Sequence, residues 1–526
     1  MATLQEVIPQ LGSSPAIIRP AAAGAGAVSF SFGSLAGSVN TVRSFLTSLG
    51  LRPGSAIAIG LANSVEFAIV FFAVTYSGFV AAPLNPGLKQ AEFEFYLQDL
   101  KCPVAFVATT ENEAVVKAAD KIGKFVDGGH VKMFTIVAAG ENVMLSSVDG
   151  KPIAIGGGGK MLPEARGDDV ALVLHTSGTT GRPKIVPLTH ANLTSSIRNI
   201  RQTYGFAQSD TSLLVMPLFH VHGLLCGFLA PLSVNAAVVV PAKFSASSFW
   251  SDFMAHKATW FTAVPTIHQI LLKTTATDQV MAKNIRFIRS CSSALAPSTM
   301  RTLEDRFGAP VVEAYAMTEA SHQMTSNELP PGVRKPGSVG KAQGSVSVKI
   351  LDSNGDEVGV GQEGEICVKG ENVTKGYRNN KAANETSYTR TGYFRTGDQG
   401  KMDADGFVFI TGRIKELINR GGEKISPVEL DGVLLEHSAV AEAVTFGVPD
   451  EMYGQEVQAA VVVKAGMEDK VTEKELREFM ASRVAKFKVA KKIYFTKEMP
   501  KTATGKIQRS KIADKFFGLP QARSKV

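Results

Sequence analysis

The chain has 526 residues, 44% hydrophobic and 20% charged, with 30 Phe and a formal net charge of +8. This length exceeds what one hydrophobic core organises, so about two to four domains are expected. The composition excludes a small binding module, a disordered or collagen-like chain and a disulfide-dense scaffold. The cysteines Cys102, Cys226, Cys291 and Cys367 stand far apart without CxxC spacing, which argues against a zinc site or redox pair and fits a reducing compartment.

At the N-terminus, MATLQEVIPQLG has neither a basic nor an apolar signal region, so no secretory signal is expected. Phe67 to Leu84 form 18 positions without a charge, the threshold length for a membrane span. Thr75, Tyr76, Ser77 and Gly78 interrupt that run and Pro83 ends it, so it predicts a helix followed by a buried strand, Phe79 to Ala82, and no span. From about Phe30 to Ile410, helical-period stretches alternate with short β-branched runs at Ala56 to Ile59, Val170 to Leu174, Ala236 to Val240 and Ile285 to Ile288. That alternation predicts α/β layers with parallel strands. Gly156 to Gly159 reads as a surface loop without a phosphate fingerprint.

After Gly412 the texture changes to α+β, with strands near Val440 to Phe446, Val457 to Val463 and Lys492 to Thr496 and a helix near Thr472 to Arg483. The boundary falls inside TGRIKELINRGGEKISP, after an apolar hairpin at Gly406 to Thr411. The expected fold class is α/β: a large multi-layer N-terminal region of sheets flanked by helices, with a small mobile α+β C-terminal domain. Its divisions are residues 1–412, a hinge at 413–417, and 418–526. From Arg483 onward there are 13 Lys and Arg against Glu498 and Asp514, a balance of +11 that leaves the preceding chain at −3. Such a tail can hold a polyphosphate, attract nucleic acid or be a solvated face.

The strongest local signal is His175-Thr-Ser-Gly-Thr-Thr-Gly-Arg-Pro-Lys184, directly after the Val170 to Leu174 run. Hydroxyls, glycines and a terminal lysine can wrap phosphate oxygens, yet the glycine spacing is not that of a Walker loop. Four more segments follow: EAYAMTEA at Glu313 to Ala320, YFRTGD at Tyr393 to Asp398, GRIKEL at Gly412 to Leu417 and PKTATGKIQR at Pro500 to Arg509. In this order the five resemble the signature blocks of the adenylate-forming superfamily of acyl-CoA synthetases, and the resemblance spans essentially the whole chain.

The resemblance implies an AMP-forming ligation in which a carboxylate attacks the α-phosphorus of ATP and coenzyme A then displaces AMP, with ATP, Mg²⁺ and coenzyme A as partners. It assigns Thr176, Ser177, Gly178, Thr179, Thr180, Gly181 and Lys184 to the phosphates and Tyr315 to adenine. Thr318 takes the α-phosphate, Glu319 the Mg²⁺, and Asp398 with Arg413 the ribose. Lys506 reaches the reacting carboxylate and α-phosphate. Ala316 stands where many members have Gly. Gly421 and Gly422 resemble the loop that forms the coenzyme A tunnel, and Lys415 the pivot about which the small domain turns. No protein nucleophile is needed, so Cys291 reads as a packed hydrophobe.

Met216-Pro-Leu-Phe-His-Val-His-Gly223 places two imidazoles in a stretch without formal charge. Of these, His222 reads as a hydrogen-bonded core residue, and the resemblance puts His220 in the acid pocket. The segments Arg289 to Pro297 and Thr318 to His322 are polar where ligases of long or aromatic acids are apolar, so Ser292, Ser293 and His322 are further pocket candidates. The strings FIRSCSSALAP and EAYAMTEASHQMTSN resemble the oxalate-activating branch of the superfamily, which implies a small polar acid, oxalate, ahead of 4-coumarate or medium-chain acids. A luciferase-like oxygenase would need a large apolar cavity, and an amino-acid-activating domain a pocket Asp that these segments lack.

Aromatic residues in the basic tail (Phe487, Tyr494, Phe495, Phe516 and Phe517) fall in core patterns, so RNA binding is expected at most as a side activity. The terminal Ser524-Lys525-Val526 differs from the peroxisomal Ser-Lys-Leu in its last residue, and a cytoplasmic location is expected, with the peroxisome as alternative.

Overall fold

The computed structural model describes residues 2–21, 26–110, 112–122, 130–139, 142–154, 164–176, 183–274, 285–468, 470–502 and 504–517. Gly156 to Gly159, Ser177 to Gly181 and the terminal Ser524-Lys525-Val526 lie outside them.

The uninterrupted apolar runs become the centre of a seven-stranded sheet, in the order Asn142–Ser147, Lys132–Ala139, Val104–Val107, Ala56–Gly60, Val80–Pro83, Val170–Thr176, Lys184–Thr189. From Lys132–Ala139 to Val170–Thr176 neighbours are parallel, and the two edge strands run antiparallel. Every residue of Ala56–Gly60, Val80–Pro83 and Val104–Val107 is buried, because helices cover both faces and leave no solvent side to demand alternation.

The uncharged run at Phe67 to Leu84 folds as expected, into the helix Val65–Tyr76 and the strand Val80–Pro83. The Ser64 hydroxyl caps the helix by accepting from Phe67 N, and every residue but Glu66 is buried. Glu66 tolerates its place because Oε1 accepts from the Ala138 amide at 3.0 Å. Among the described residues no helix is long and apolar enough to cross a membrane. Phe72 carries this helix onto the second layer, its ring 6.0 Å from Phe228.

That layer is a nine-stranded sheet in the order Lys341–Ala342, His322–Ser326, Val311–Met317, Phe287–Ser290, Trp260–Ala263, Thr211–Leu213, Ala237–Val239, Pro15–Arg19, Val28–Ser31. From Val311–Met317 to Pro15–Arg19 the neighbours are parallel. The run expected at Ile285 to Ile288 is displaced: the strand is Phe287–Ser290 and carries Arg289 into the interior, fully buried. Pairing of Thr262 with Arg289 and Ala263 with Ser290 extends the strand past a residue that reads as a breaker. Parallel strands put their carboxyl ends, and hence the loops at Val264, Cys291 and Thr318, on one side, where α/β sheets bind ligands.

An antiparallel meander follows, Ser347–Leu351, Gly364–Lys369, Phe394–Met402 and Val408–Arg413. The last sheet holds Glu423–Ile425, Ile418–Arg420, Gly454–Val463 and Val440–Asp450, with Lys492–Phe495 added parallel to Gly454–Val463. Helices Pro427–Leu435 and Glu473–Ala481 supply Leu430, Leu434, Leu476 and Met480 to its core. This is the expected α+β tail, and five of the thirteen basic residues from Arg483 onward are paired with acids. Arg483 pairs with Glu436, Lys488 with Glu429, Lys491 with Asp450, Lys501 with Glu442, and Arg509 with Glu416 and Asp431.

His190 opens the helix His190–Tyr204, whose N-cap Thr189 accepts from Asn192 N. Its Nδ1 accepts from the Leu4 amide at 3.2 Å, tying the start of the chain to this helix. Burial pushes the imidazole down to about 4, and the helix N-terminus also disfavours a cation there. The folded state therefore binds fewer protons than the unfolded one between pH 6.5 and 4, and stability falls as pH drops through that window. His190→Gln is expected to flatten the loss by about 1–3 kcal/mol, the part of a two- to three-unit shift expressed between the two pH values, read from urea midpoints at pH 7 and 4.5.

Candidate active site

At the carboxyl ends of the nine-stranded sheet the meander meets Val311–Met317. The Tyr315 hydroxyl donates to Asp398 Oδ2, and Arg413 Nε donates to Asp398 Oδ1 at 3.0 Å. Tyr315 and Asp398 are buried. Burial, with the adjacent carboxylate, holds the Tyr315 phenol well above its usual range. Three residues that the sequence places 83 and 15 positions apart thus share one carboxylate.

Lys506 enters the same cleft. The loop that carries it docks through Gly505, whose carbonyl accepts from Thr266 Oγ1 at 3.1 Å. The Lys506 side chain is exposed, and desolvation with the Arg413 charge lowers its pKa against the opposing pull of Asp398 and Glu416. The Lys506 charge in turn acts on His220, which burial pushes down to about 4.

Glu319 lies in the 3₁₀ turn Thr318–Ala320 that ends the strand, and Thr318 is half-buried beside it. Glu319 Oε1 accepts from the Tyr377 hydroxyl at 2.9 Å, and Lys184 Nζ sits 4.5 Å from the centre of the Tyr377 ring. Burial raises the Glu319 pKa, against the lowering pull of Tyr377, Lys184 and Arg413. Thr176 ends its strand facing Lys184 across the antiparallel pair; Ser177, Gly178, Thr179, Thr180 and Gly181, between them, lie outside the described residues. Among the described residues no group of three His, Cys, Asp or Glu could hold a metal ion.

The polar segments converge on a third cluster. After the turn, Ser321 and His322 take the left-handed region at φ 47° and 91°, a conformation that side chains other than Gly rarely adopt and that concentrates at functional sites. The buried His322 ring stacks 5.1 Å from His222, and its Nε2 has no hydrogen-bond partner. His222, as expected, is a hydrogen-bonded core residue: Nε2 lies 2.6 Å from Thr262 Oγ1 and Nδ1 3.1 Å from Ser292 Oγ. Its amide donates to His220 Nδ1 at 3.2 Å. Burial, then the Arg289 charge, holds His222 and His322 well below the usual imidazole range, so both are neutral near pH 7. Ser292 is half-buried at φ 74°, whereas the exposed Ser293 turns its hydroxyl to the Ser292 carbonyl at 2.8 Å.

Lys506, His220, Asp398, Arg413, Tyr315 and Glu319 are therefore brought to one cleft, with Ser292 and His322 gathered about His222 next to His220. Gly421 and Gly422 are not part of this hydrogen-bond network. They make the turn between Ile418–Arg420 and Glu423–Ile425, at φ 60° and 95°, with the Gly421 amide donating to the Tyr453 carbonyl at 2.8 Å. Lys415 lies in the exposed 3₁₀ turn Ile414–Glu416 that joins the meander to the last sheet. Sequence reasoning passed over Tyr377, Glu313 and Arg289 as site residues. The first two hold others in place, Tyr377 gripping Glu319 and Glu313 Oε1 accepting from the Leu295 amide at 2.8 Å to anchor the Ser292 loop.

With this geometry in place, comparison with known proteins is informative. Residues 5–378 match the family described as AMP-binding enzyme, and residues 429–506 match the AMP-binding enzyme C-terminal domain. An oxalate–CoA ligase of Saccharomyces cerevisiae is 48% identical over 89% of this chain and 88% of the relative. An oxalate–CoA ligase of Arabidopsis thaliana is 47% identical over 90% of each. Among solved structures, ATP-bound MatB from Rhodopseudomonas palustris superposes with a TM-score of 0.86 at 28% identity, over 98% of both chains.

Glu313 is almost wholly buried with Oε2 unpartnered, and burial pushes its carboxyl up to about 8. It is protonated near pH 7, so the folded state binds more protons than the unfolded one from pH 4.5 to 8, and this group lowers stability as pH rises through that window. Glu313→Gln keeps the acceptor for Leu295 and removes the titration. Its melting temperature is expected to match the parent at pH 5 and to exceed it at pH 8.5, by about 2–6 °C for 1–2 kcal/mol; a parallel pH dependence in the two proteins counts against a neutral carboxyl.

Proposed function

The chain belongs to the AMP-binding enzyme family, and we propose that it is an ATP-dependent, AMP-forming acid–CoA ligase whose acid is oxalate. The observation that carries the reading is the meeting of the Lys506 ammonium with His220 and the Asp398–Arg413 pair in one cleft. Next to His220 the side chains of His222, Ser292 and His322 are polar, and two of the relatives nearly half identical along the chain are oxalate–CoA ligases.

In the first half-reaction a carboxylate oxygen of the acid bonds to the α-phosphorus of ATP as the bond to pyrophosphate breaks. Asp398 and Arg413 hold the ribose and Tyr315 lies against adenine. Thr176 and Lys184, with Ser177, Thr179 and Thr180 between them, receive the leaving phosphates. Thr318 and Lys506 meet the α-phosphate, where charge builds in the transition state, and a preorganised cation stabilises that charge without reorganisation. Glu319 fits Mg²⁺: a buried carboxylate with raised pKa gains from a cation, and Mg²⁺ bound to nucleotide needs only one or two carboxylates beside phosphate oxygens. The ion would neutralise phosphate charge there. Oxalate is a dianion near neutrality, so its second carboxylate requires donors, for which Ser292, Ser293, His322 and His220 are the candidates.

In the second half-reaction the sulfur of coenzyme A attacks the acyl carbon and AMP leaves. The small domain of residues 418–526 would turn about Lys415 and exchange the Lys506 loop for the Gly421–Gly422 turn.

Purified protein with Mg-ATP, oxalate and coenzyme A is expected to release AMP and pyrophosphate, with oxalate the best of a panel of oxalate, malonate, acetate, 4-coumarate and octanoate. ADP as product refutes the chemistry, and a lead for 4-coumarate or octanoate moves the assignment to those ligases. Lys506→Ala is expected to lower oxalate-dependent pyrophosphate release about 10²–10³-fold, the scale of one lost transition-state donor, while thioester formation from pre-formed acyl-adenylate persists. Equal loss in both steps defeats the exchange of faces.

A further inference from the structure

Arg289 is a cation without a counter-ion. It lies within its strand, fully buried, and every hydrogen-bond partner it has is neutral: Nε donates to Tyr204 Oη at 2.7 Å, Nη2 to Gln323 Oε1 at 3.0 Å and Nη1 to Thr262 Oγ1 at 3.1 Å. Nη1 also lies 3.4 Å from His222 Nε2. Among the described residues no carboxylate pairs with it. Removing one partner of a buried ion pair is strongly destabilising because it leaves an uncompensated charge, so a guanidinium built into this position without an acid calls for an anion from elsewhere.

The surrounding groups transmit its charge toward the cleft. Tyr204 and Gln323 fix the plane of the guanidinium, and Gln323 Oε1 also accepts from Tyr204 Oη at 2.9 Å. With Arg289 donating to Thr262, the Thr262 hydroxyl is free to donate to His222 Nε2, which leaves the proton on Nδ1 to donate to Ser292 Oγ. Ser292 is half-open to the cleft and His220 adjoins Lys506, whereas His322 Nε2 is buried without a partner beside them.

We infer that Arg289 is the specificity determinant for doubly charged acids: sealed behind His222, Ser292 and His322, its fixed charge is neutralised by the second carboxylate of the substrate. It is a positioning residue, acting through His222 and its field and not by contact. The inference rests on the reading of the cleft as an oxalate site. It also supplies what the hydroxyl and imidazole donors lack. Neutral donors hold a carboxylate by hydrogen bonds alone, whereas a buried cation adds an attraction that a carboxamide cannot answer.

The test compares oxalate with oxamate, which has the same shape and one charge fewer. Arg289→Met fills the space without charge and is expected to lower kcat/KM for oxalate about 30–300-fold, the range for truncating one side of a buried charge pair. The loss falls mainly in KM, and the value for oxamate changes less than about 5-fold on the same scale. Arg289→Lys, which keeps the charge, is expected to retain the oxalate preference. Equal losses for the two acids in Arg289→Met would mark Arg289 as structural and overturn the inference. Parent protein that turns over neither acid, or prefers a monoanion, defeats the functional reading instead. Should neither variant be soluble, the parent carries the test by thermal-shift titration: oxalate is expected to bind at least about tenfold more tightly than oxamate, and equal affinities overturn the inference.

Discussion

Asp398 is held from two sides, and the arrangement of the cleft follows from that. Tyr315 comes to it from the nine-stranded sheet and Arg413 from the last strand of the meander, just before the turn at Ile414–Glu416. One carboxylate therefore fixes the distance between two layers and the starting direction of the segment that leads to the last sheet. Moving Asp398 would release the Tyr315 phenol and the Arg413 guanidinium together, and with them the field in which Lys506 sits. The cost of burying this acid is offset by two donors, one of them charged, which is the condition under which a buried carboxylate is tolerated.

Electrostatics elsewhere in the cleft follow a similar economy of groups. Lys184 rests against the face of Tyr377 while the hydroxyl of the same residue holds Glu319, so one aromatic side chain separates a cation from an anion and fixes both. A direct Lys–Glu pair would neutralise two groups that phosphate and a divalent cation are better placed to use. The imidazoles show the opposite tactic. His222 and His322 are stacked and neutral next to a permanent positive charge, so they can donate hydrogen bonds without adding repulsion.

Much of this was legible in the sequence, and the limits are physical. Uncharged runs without alternation gave buried parallel strands, since a strand covered on both faces has no reason to alternate. His222 reads as a hydrogen-bonded core residue within an uncharged stretch, and the structure pairs it with Thr262 and Ser292. Arg289 illustrates what pattern reading misses. A charge within an apolar run reads as the end of a strand, and only the register against Trp260–Ala263 shows that the strand continues through it. The basic tail shows another limit of pattern reading. Net charge along the chain counts Arg483, Lys488, Lys491, Lys501 and Arg509 as free, whereas each has an acid from an earlier part of the last sheet or its helices. Tyr377 lies 58 residues from Glu319, so no local window joins them.

Arg509, three residues beyond Lys506, donates to Asp431 at 2.8 Å and to Glu416 at 3.1 Å, and among the described residues the loop's hydrogen bond to the large region is the one its Gly505 carbonyl accepts from Thr266. The strong attachments of the lysine loop thus run to its own half of the molecule, and the attachment across the cleft is weak. Lys506 is mounted as a tool on a handle, gripped firmly at the base and resting lightly at the tip. Among the described residues, withdrawing it breaks one neutral hydrogen bond and leaves the ion pair with Asp431 intact, so what draws the tip into the cleft is the charge of Asp398 and Glu416 on the ammonium.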